Sequence, residues 1–340
     1  MTPKTIKKAK EMHERLFVAD AHYDMLNLVA GKRIEREQRN VITRDYLERL
    51  RAGGVNLLIC SLFIDNWHIP EMALRRALDQ IACLLEEIDE GAPLKLCRNT
   101  TDIHRANEEG RIAILLSFEG VDPIGNDLRL LRIFYELGIR GVGLVWSRRN
   151  YAADGCFFSP REEGRKGGLT DFGVQLVREC ERLGMYLDVS HLNDEGFQDL
   201  CDIAQKPFIA SHSNCRALTP VTRNLTDEMM LSLARHGGIM GMNCSGNFVR
   251  LFPDGPFSAH EMSVHGAHVK ELIGADHLCF GFDFCDEIRT NEGRALCDSI
   301  NFYDHAYELT AELIENGFTD EEIQGVLGGN IMSFLERTIG

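Results

Sequence analysis

Short apolar runs alternate with amphipathic segments of helical period along almost the whole of this 340-residue chain. That alternation constrains the fold more than any other feature. Eight runs stand out: LFVADAHYD, VNLLICSLF, IAILLSFEG, GVGLVWS, MYLDVSHL, PFIASHSN, GIMGMNC and LCFGFDFCD. Each is too short for a helix and mostly apolar, as expected of a strand buried on both faces. The segments between them carry helix punctuation. TRDYLERLRAGG is expected to start at a Thr43 cap and stop at Gly53, and NDLRLLRIFYELG spaces Leu130, Phe134 and Leu137 on one face before Gly138. TDFGVQLVRECERLG and TDEMMLSLARHG each open on Thr-Asp and close on Gly. Buried strands alternating with helices imply an α/β fold whose parallel sheet closes into a (β/α)8 TIM-type barrel. An N-terminal helix and a C-terminal helical extension after residue 287 are additions to it, and residues 1–340 are expected to form a single domain. The same alternation permits an open doubly wound sheet, but no G-x-G-x-x-G follows the first run, so a dinucleotide-binding fold loses its support.

Charge narrows the partners. Lys plus Arg number 37 against 52 Asp plus Glu, a net charge of −15 that repels phosphate backbones and anionic membranes alike. Neither nucleic acid nor a membrane is therefore an expected partner. The N-terminus MTPKTIKKAKEMHERLFVAD is basic and helix-patterned but lacks the apolar core and small-residue cleavage site of a signal peptide. No run approaches a membrane span. Eleven cysteines stand singly, without a C-x-x-C pair, which argues against a structural zinc knuckle or a disulfide framework and for buried thiols in a reducing cytoplasm.

In a barrel the C-terminal ends of all strands converge on one site, so the residues ending each run matter most. In FVADAHYDML, Asp20, His22 and Asp24 occupy every second position and are expected to share one face. His22 and Asp24 form an H-x-D pair of the kind that holds a divalent metal. The third run ends in Glu119, the fifth in His191, the sixth in His212 and the eighth in Asp283 and Asp286. Any one of these side chains could merely cap a helix or satisfy a turn. Three histidines and several carboxylates on a single rim are what a hydrolytic metal site needs. Five candidate ligands, His22, Asp24, Glu119, His191 and His212, exceed the three protein ligands of a mononuclear catalytic zinc and suit two ions, with Glu119 as the bridge. A water between the ions would become the nucleophile, and Asp283 would accept its proton and pass it to the leaving group. His13, His68, His104, His236, His260, His265, His268, His277 and His305 fall away from the strand ends and are assigned surface or helix-terminal roles. The segment HEMSVHGAHVK is taken as a solvated helix face.

At these residues the sequence resembles the renal-type (membrane) dipeptidase family, a branch of the amidohydrolase superfamily. The likeness runs from DAHYD through SFEG, GLTDFGVQLVRECERLGMYLDVSHL, IASHSNCRAL, TRNLTDEMM and GFDF to GGNIMSFLE. It implies a single metal-dependent hydrolase barrel carrying two divalent ions, zinc being the expected metal: His22 and Asp24 on the first, His191 and His212 on the second, Glu119 bridging, and Asp283 as the acid/base residue. It also implies that Arg223 in VTRNLTDE binds the free carboxylate of a dipeptide, for which a guanidinium fork is suited. Where animal members carry a histidine that polarises the substrate carbonyl, GLVWSRRNYAADG places Trp146, whose indole N–H can still donate one hydrogen bond. The expected activity is hydrolysis of dipeptides, some with a D-residue at the C-terminal position; the alternative is a related barrel hydrolase acting on another small amide, ester or lactone. Residues 147–168 are expected to wall the pocket. The resemblance also leaves room for a homodimer.

Overall fold

The computed structural model describes residues 1–157 and 166–340. Among the described residues nine parallel strands are formed: β1 (Val18–Tyr23), β2 (Val55–Phe63), β3 (Leu94–Leu96), β4 (Ile112–Glu119), β5 (Ile139–Gly143), β6 (Tyr186–Asp188), β7 (Ile209–Ser213), β8 (Ile239–Met242) and β9 (Leu278–Phe280). Eight of them close a ring: β1 pairs with both β2 and β9, β2 pairs with β4, and the order runs on through β5, β6, β7 and β8 to β9. The TIM-type barrel expected from the alternation is therefore present, and its eight strands are the eight apolar runs. The ninth, β3, lies outside the ring on the start of β4; three residues of the pattern Leu-Lys-Leu carry too little periodicity to announce a strand.

Helix ends follow their sequence signals where the cap is local. Thr170 caps Asp171–Leu183 and Thr226 caps Asp227–Arg235 through their hydroxyls, and Gly138 and Gly184 close helices in the left-handed conformation. Thr43 does not cap. It lies inside the short helix Val41–Asp45, whose first amides, Val41 N–H and Ile42 N–H, are accepted by Glu87 at 2.8 and 2.9 Å. Glu87 is fully buried and is neutralised by Arg33, which also bonds Glu86 and Glu90. A cap supplied from another helix leaves no local signal.

The N-terminal helix (Pro3–Arg15) packs against Tyr307–Glu315. Between them His13 is buried, its Nδ1 2.9 Å from Gly53 O and its Nε2 2.8 Å from Thr310 Oγ1. His13 lies in the last turn of its helix, one of the two roles expected for it; the other, a surface position, is corrected. So is the solvated face expected at residues 260–270: His265 is fully buried, accepting Cys215 N–H at 3.0 Å, because the helix Ala259–Ile273 is sandwiched against Asp227–Arg235 and Tyr307–Glu315. At the strand starts, Ala19, Leu57, Ile59, Ala113, Leu115, Ile209 and Ile239 form a compact apolar floor, sealed by Ile331, Phe334 and Leu335 of the last helix, Asn330–Thr338. Among the described residues no helix is long and apolar enough to cross a membrane.

Candidate active site

Strand irregularity decides which polar groups face the barrel mouth. The register of β1 against β2 slips between Asp20 and Tyr23, so two-residue alternation fails there. Asp20 turns away from the site and accepts hydrogen bonds from the Tyr303 hydroxyl, Phe282 N–H (3.0 Å) and His22 N–H (3.3 Å). The single face expected for Asp20, His22 and Asp24 is corrected: only the last two look into the mouth. Its burial pushes the Asp20 carboxyl up to about 7. Glu119 is the last residue of β4 and His212 lies in β7. His191 and Asp283 follow β6 and β9 with φ of 71° and 55°, a left-handed backbone that non-glycine residues seldom adopt and that aims both side chains inward.

The five expected ligands and Asp283 are brought together, and all six are buried. Around Glu119 Oε1 stand His191 Nε2 at 2.8 Å, His212 Nε2 at 3.4 Å and His22 Nε2 at 3.7 Å. His22 Nε2 also lies 3.6 Å from Asp24 Oδ1 and 4.0 Å from Asp283 Oδ1. Among the described residues four groups bring ligand-type atoms within 4.8 Å of one another: Glu119–His191–His212 and His22–Asp24–Asp283 join the expected ligands and Asp283, while His22–Asp188–His212 and Asp286–Cys297–Asp298 are the other two. Burial holds all three imidazoles down, His22 to about 3, with the Arg223 charge adding to it. Burial pushes Asp24 up to about 6 and, with the neighbouring carboxylates, drives Glu119 and Asp283 well above their usual range. Neutral imidazoles and mutually repelling carboxylates are what a bound cation reconciles. Among the described residues Glu119 Oε2 and His212 Nε2 are buried with no hydrogen-bond partner, so the donor set fits divalent metal. Asp286 does not join them: its Oδ1 accepts Cys297 N–H and Asp298 N–H at 2.6 and 3.1 Å.

Several orienting groups went unread in the sequence. Ser61 donates to Asp24, Ser147 Oγ is 2.9 Å from His191 Nδ1, and Asn243 Nδ2 donates to Asp283 Oδ2 at 2.9 Å. Of these, Ser147 ends the run GVGLVWS and Asn243 stands next to the end of GIMGMNC, whereas Ser61 lies inside its run. Above them opens a cleft of about 1330 Å³. Arg223 lines it, 3% exposed, with Nη1 donating to Ser213 Oγ (3.1 Å) and Nη2 to His212 O (2.7 Å), while Nε has no partner among the described residues. Trp146 lines it too, its ring 5.2 Å from Phe63 and 5.9 Å from His191. Of the wall expected at 147–168, Asp154 to Phe157 and Lys166 line the cleft; residues 158–165 lie outside the described residues.

A parallel barrel with imidazoles and carboxylates gathered at the C-terminal ends of its strands defines the class of metal-dependent hydrolases. The family model "Membrane dipeptidase (Peptidase family M19)" matches residues 6–338, and the chain belongs to that family. It is 28% identical over 346 residues to Dipeptidase 3 of Homo sapiens, covering 99% of this chain and 68% of that protein. It is also 28% identical to Dipeptidase verJ of Clonostachys rogersoniana, over 97% of this chain and 86% of that one. A solved metallopeptidase described as dipeptidase AC superposes with a TM-score of 0.83 at 30% identity, covering 96% of this chain and all (100%) of its own. A metallopeptidase from Rhodobacter sphaeroides, liganded with a phosphinate mimic of L-Ala-D-Ala, gives 0.83 at 28% identity over 95% and 99% of the two chains. The protein is a metal-dependent hydrolase of the dipeptidase family.

Proposed function

We propose that this dipeptidase uses two divalent ions, zinc by expectation, and that its substrates include dipeptides with a D-residue at the C-terminal position. The observation that carries the two-ion reading is the convergence of three imidazole Nε2 atoms on one oxygen of Glu119 while its second oxygen has no hydrogen-bond partner among the described residues. His22 and Asp24 would hold one ion, His191 and His212 the other, and Glu119 both. Bound there, the ions would supply Lewis acidity, acidifying a water held between them into the nucleophile. Asp283, pinned at Oδ2 by Asn243, keeps Oδ1 to accept the water's proton and return it to the leaving nitrogen as the C–N bond breaks. Arg223 offers its Nε N–H, which has no partner among the described residues, to the substrate's terminal carboxylate, fixing a dipeptide's length against the reacting centre. Trp146 contributes an apolar wall and one N–H. The D-residue reading draws support from the L-Ala-D-Ala mimic bound by the Rhodobacter relative. Eleven free cysteines support a reducing cytoplasmic setting, and one closed barrel supports a single domain.

The test is amino-acid release from L,L and L,D dipeptides by the zinc-loaded protein, with a chelated control. Chelator-sensitive cleavage is expected. No cleavage with two ions bound would transfer the reading to another small amide, ester or lactone. Arg223→Ala is expected to abolish dipeptide turnover with metal retained, and His191→Ala to lower metal content; unchanged turnover or two full equivalents of metal, respectively, would remove each assignment.

A further inference from the structure

The imidazoles of His22 and His212 stack at 3.6 Å between centroids, 26° from parallel. Their Nε2 atoms face Glu119, so their Nδ1 atoms face the opposite way, and both meet the same hydroxyl. Ser211 Oγ lies 2.7 Å from His212 Nδ1 and 3.5 Å from His22 Nδ1. On its far side Ser211 Oγ hydrogen-bonds Asp188 Oδ2. Asp188 is 6% exposed, and its Oδ1 accepts Ser190 N–H at 2.9 Å and Ser211 N–H at 3.0 Å. Both backbone partners donate to Oδ1, so that oxygen only accepts, and Oδ2 is left to Ser211 Oγ.

A hydroxyl has one proton to donate and two lone pairs with which to accept. With Asp188 ionised, as the neighbouring cations would favour, the serine proton goes to Oδ2 and Ser211 accepts from the two rings. Both histidines are thereby held as the Nδ1–H tautomer, with the Nε2 lone pairs directed at the metal side. The serine itself has little freedom: its carbonyl packs against Gly241 and Gly281, where any Cβ would collide with it.

We propose that Ser211, anchored by Asp188, is a positioning residue shared by both halves of the metal centre, orienting one histidine of each. This rests on the reading of His22 and His212 as ligands of different ions. Metal ligands lean on such outer partners for tautomer and ring orientation, and losing one typically costs about 10–100-fold in metal affinity. The unusual consequence here is that one serine, ligand to neither ion, governs the affinity of both.

The full-length protein titrated with zinc against a competing chromophoric chelator tests this. Ser211→Ala is expected to weaken both binding steps by about 10–100-fold, and Ser211→Thr, which keeps the hydroxyl, to restore parental affinity. Should Ser211→Ala fail to fold, Asp188→Asn tests the same relay and is expected to loosen both ions. His212→Ala serves as the reference and should lose one ion. Two parental affinities in Ser211→Ala beside a one-ion His212→Ala would overturn the relay and leave the ligand assignment standing. Weakening of one step only, or failure of threonine to rescue, would overturn the shared role. Two tightly held ions in His212→Ala would instead unseat the ligand assignment itself.

Discussion

Asn243 shows how much a single side chain can do outside the ligand set. Fully buried, it accepts Ser245 N–H at 2.7 Å through Oδ1 and donates to Asp283 through Nδ2, so its amide is locked and with it one oxygen of the carboxylate that would move the proton. A hydrogen bond to a charged group is worth about 1.5–3 kcal/mol. Asn243→Ala is accordingly expected to lower kcat about ten- to a hundred-fold with metal content unchanged; parental kcat in steady-state assays would show that Asp283 needs no such support. The strand-end rule found His22, Asp24, Glu119, His191, His212 and Asp283 because it asks only where a residue falls along its own run. It does not reach Ser61, Asp188 or Ser211, which lie inside their runs and whose roles depend on partners met through the closed barrel, and it gives Ser147, the last residue of GVGLVWS, no partner. Nor could it place Asp20, since a register slip is invisible to a strict two-residue period.

Helix Val41–Asp45 shows the same division between local and distant causes. Its start depends on Glu87, but at its end Asp45 is bonded by its sequence neighbour, Arg44 Nε at 2.6 Å, and by Lys32 of the preceding helical segment at 2.8 Å. These contacts, Arg44 first, hold the Asp45 carboxyl at about 2, below its ordinary 3.8. A carboxyl whose pKa is lower in the folded state stabilises the fold above the unfolded pKa, and that contribution is lost as pH falls through the folded one. Between about pH 4 and pH 2 the parent should therefore lose stability more steeply than Asp45→Asn in urea titrations; identical slopes would mean that the pairing persists in the unfolded chain. Strands were more legible than helix starts because the buried runs of a parallel barrel are apolar almost throughout. Only β3, packed outside the ring and three residues long, escaped notice.

Closure of the barrel ties the beginning of the chain to its end. β1 pairs with β9, the first helix packs on Tyr307–Glu315, and the floor beneath the site is sealed by Asn330–Thr338. The period of that last helix reveals an apolar face, but nothing in it names the surface it covers. Phe334, fully buried and edge-on to Tyr186 at 5.5 Å, anchors the seal; Phe334→Ala is expected to cost about 3–5 kcal/mol, read from denaturant midpoints, and a loss under 1 kcal/mol would show the floor to be stable without it. The seal also bears on how the molecule is made. As the chain leaves the ribosome, strands emerge in order from the first, but Asp283 joins the rim only after the five other site residues, and the floor stays uncovered until Asn330–Thr338 follows. Synthesis therefore carries a long interval in which an open, apolar half-barrel is exposed to its neighbours, and the ring that fixes the rim closes only when β9 has joined β8 to β1.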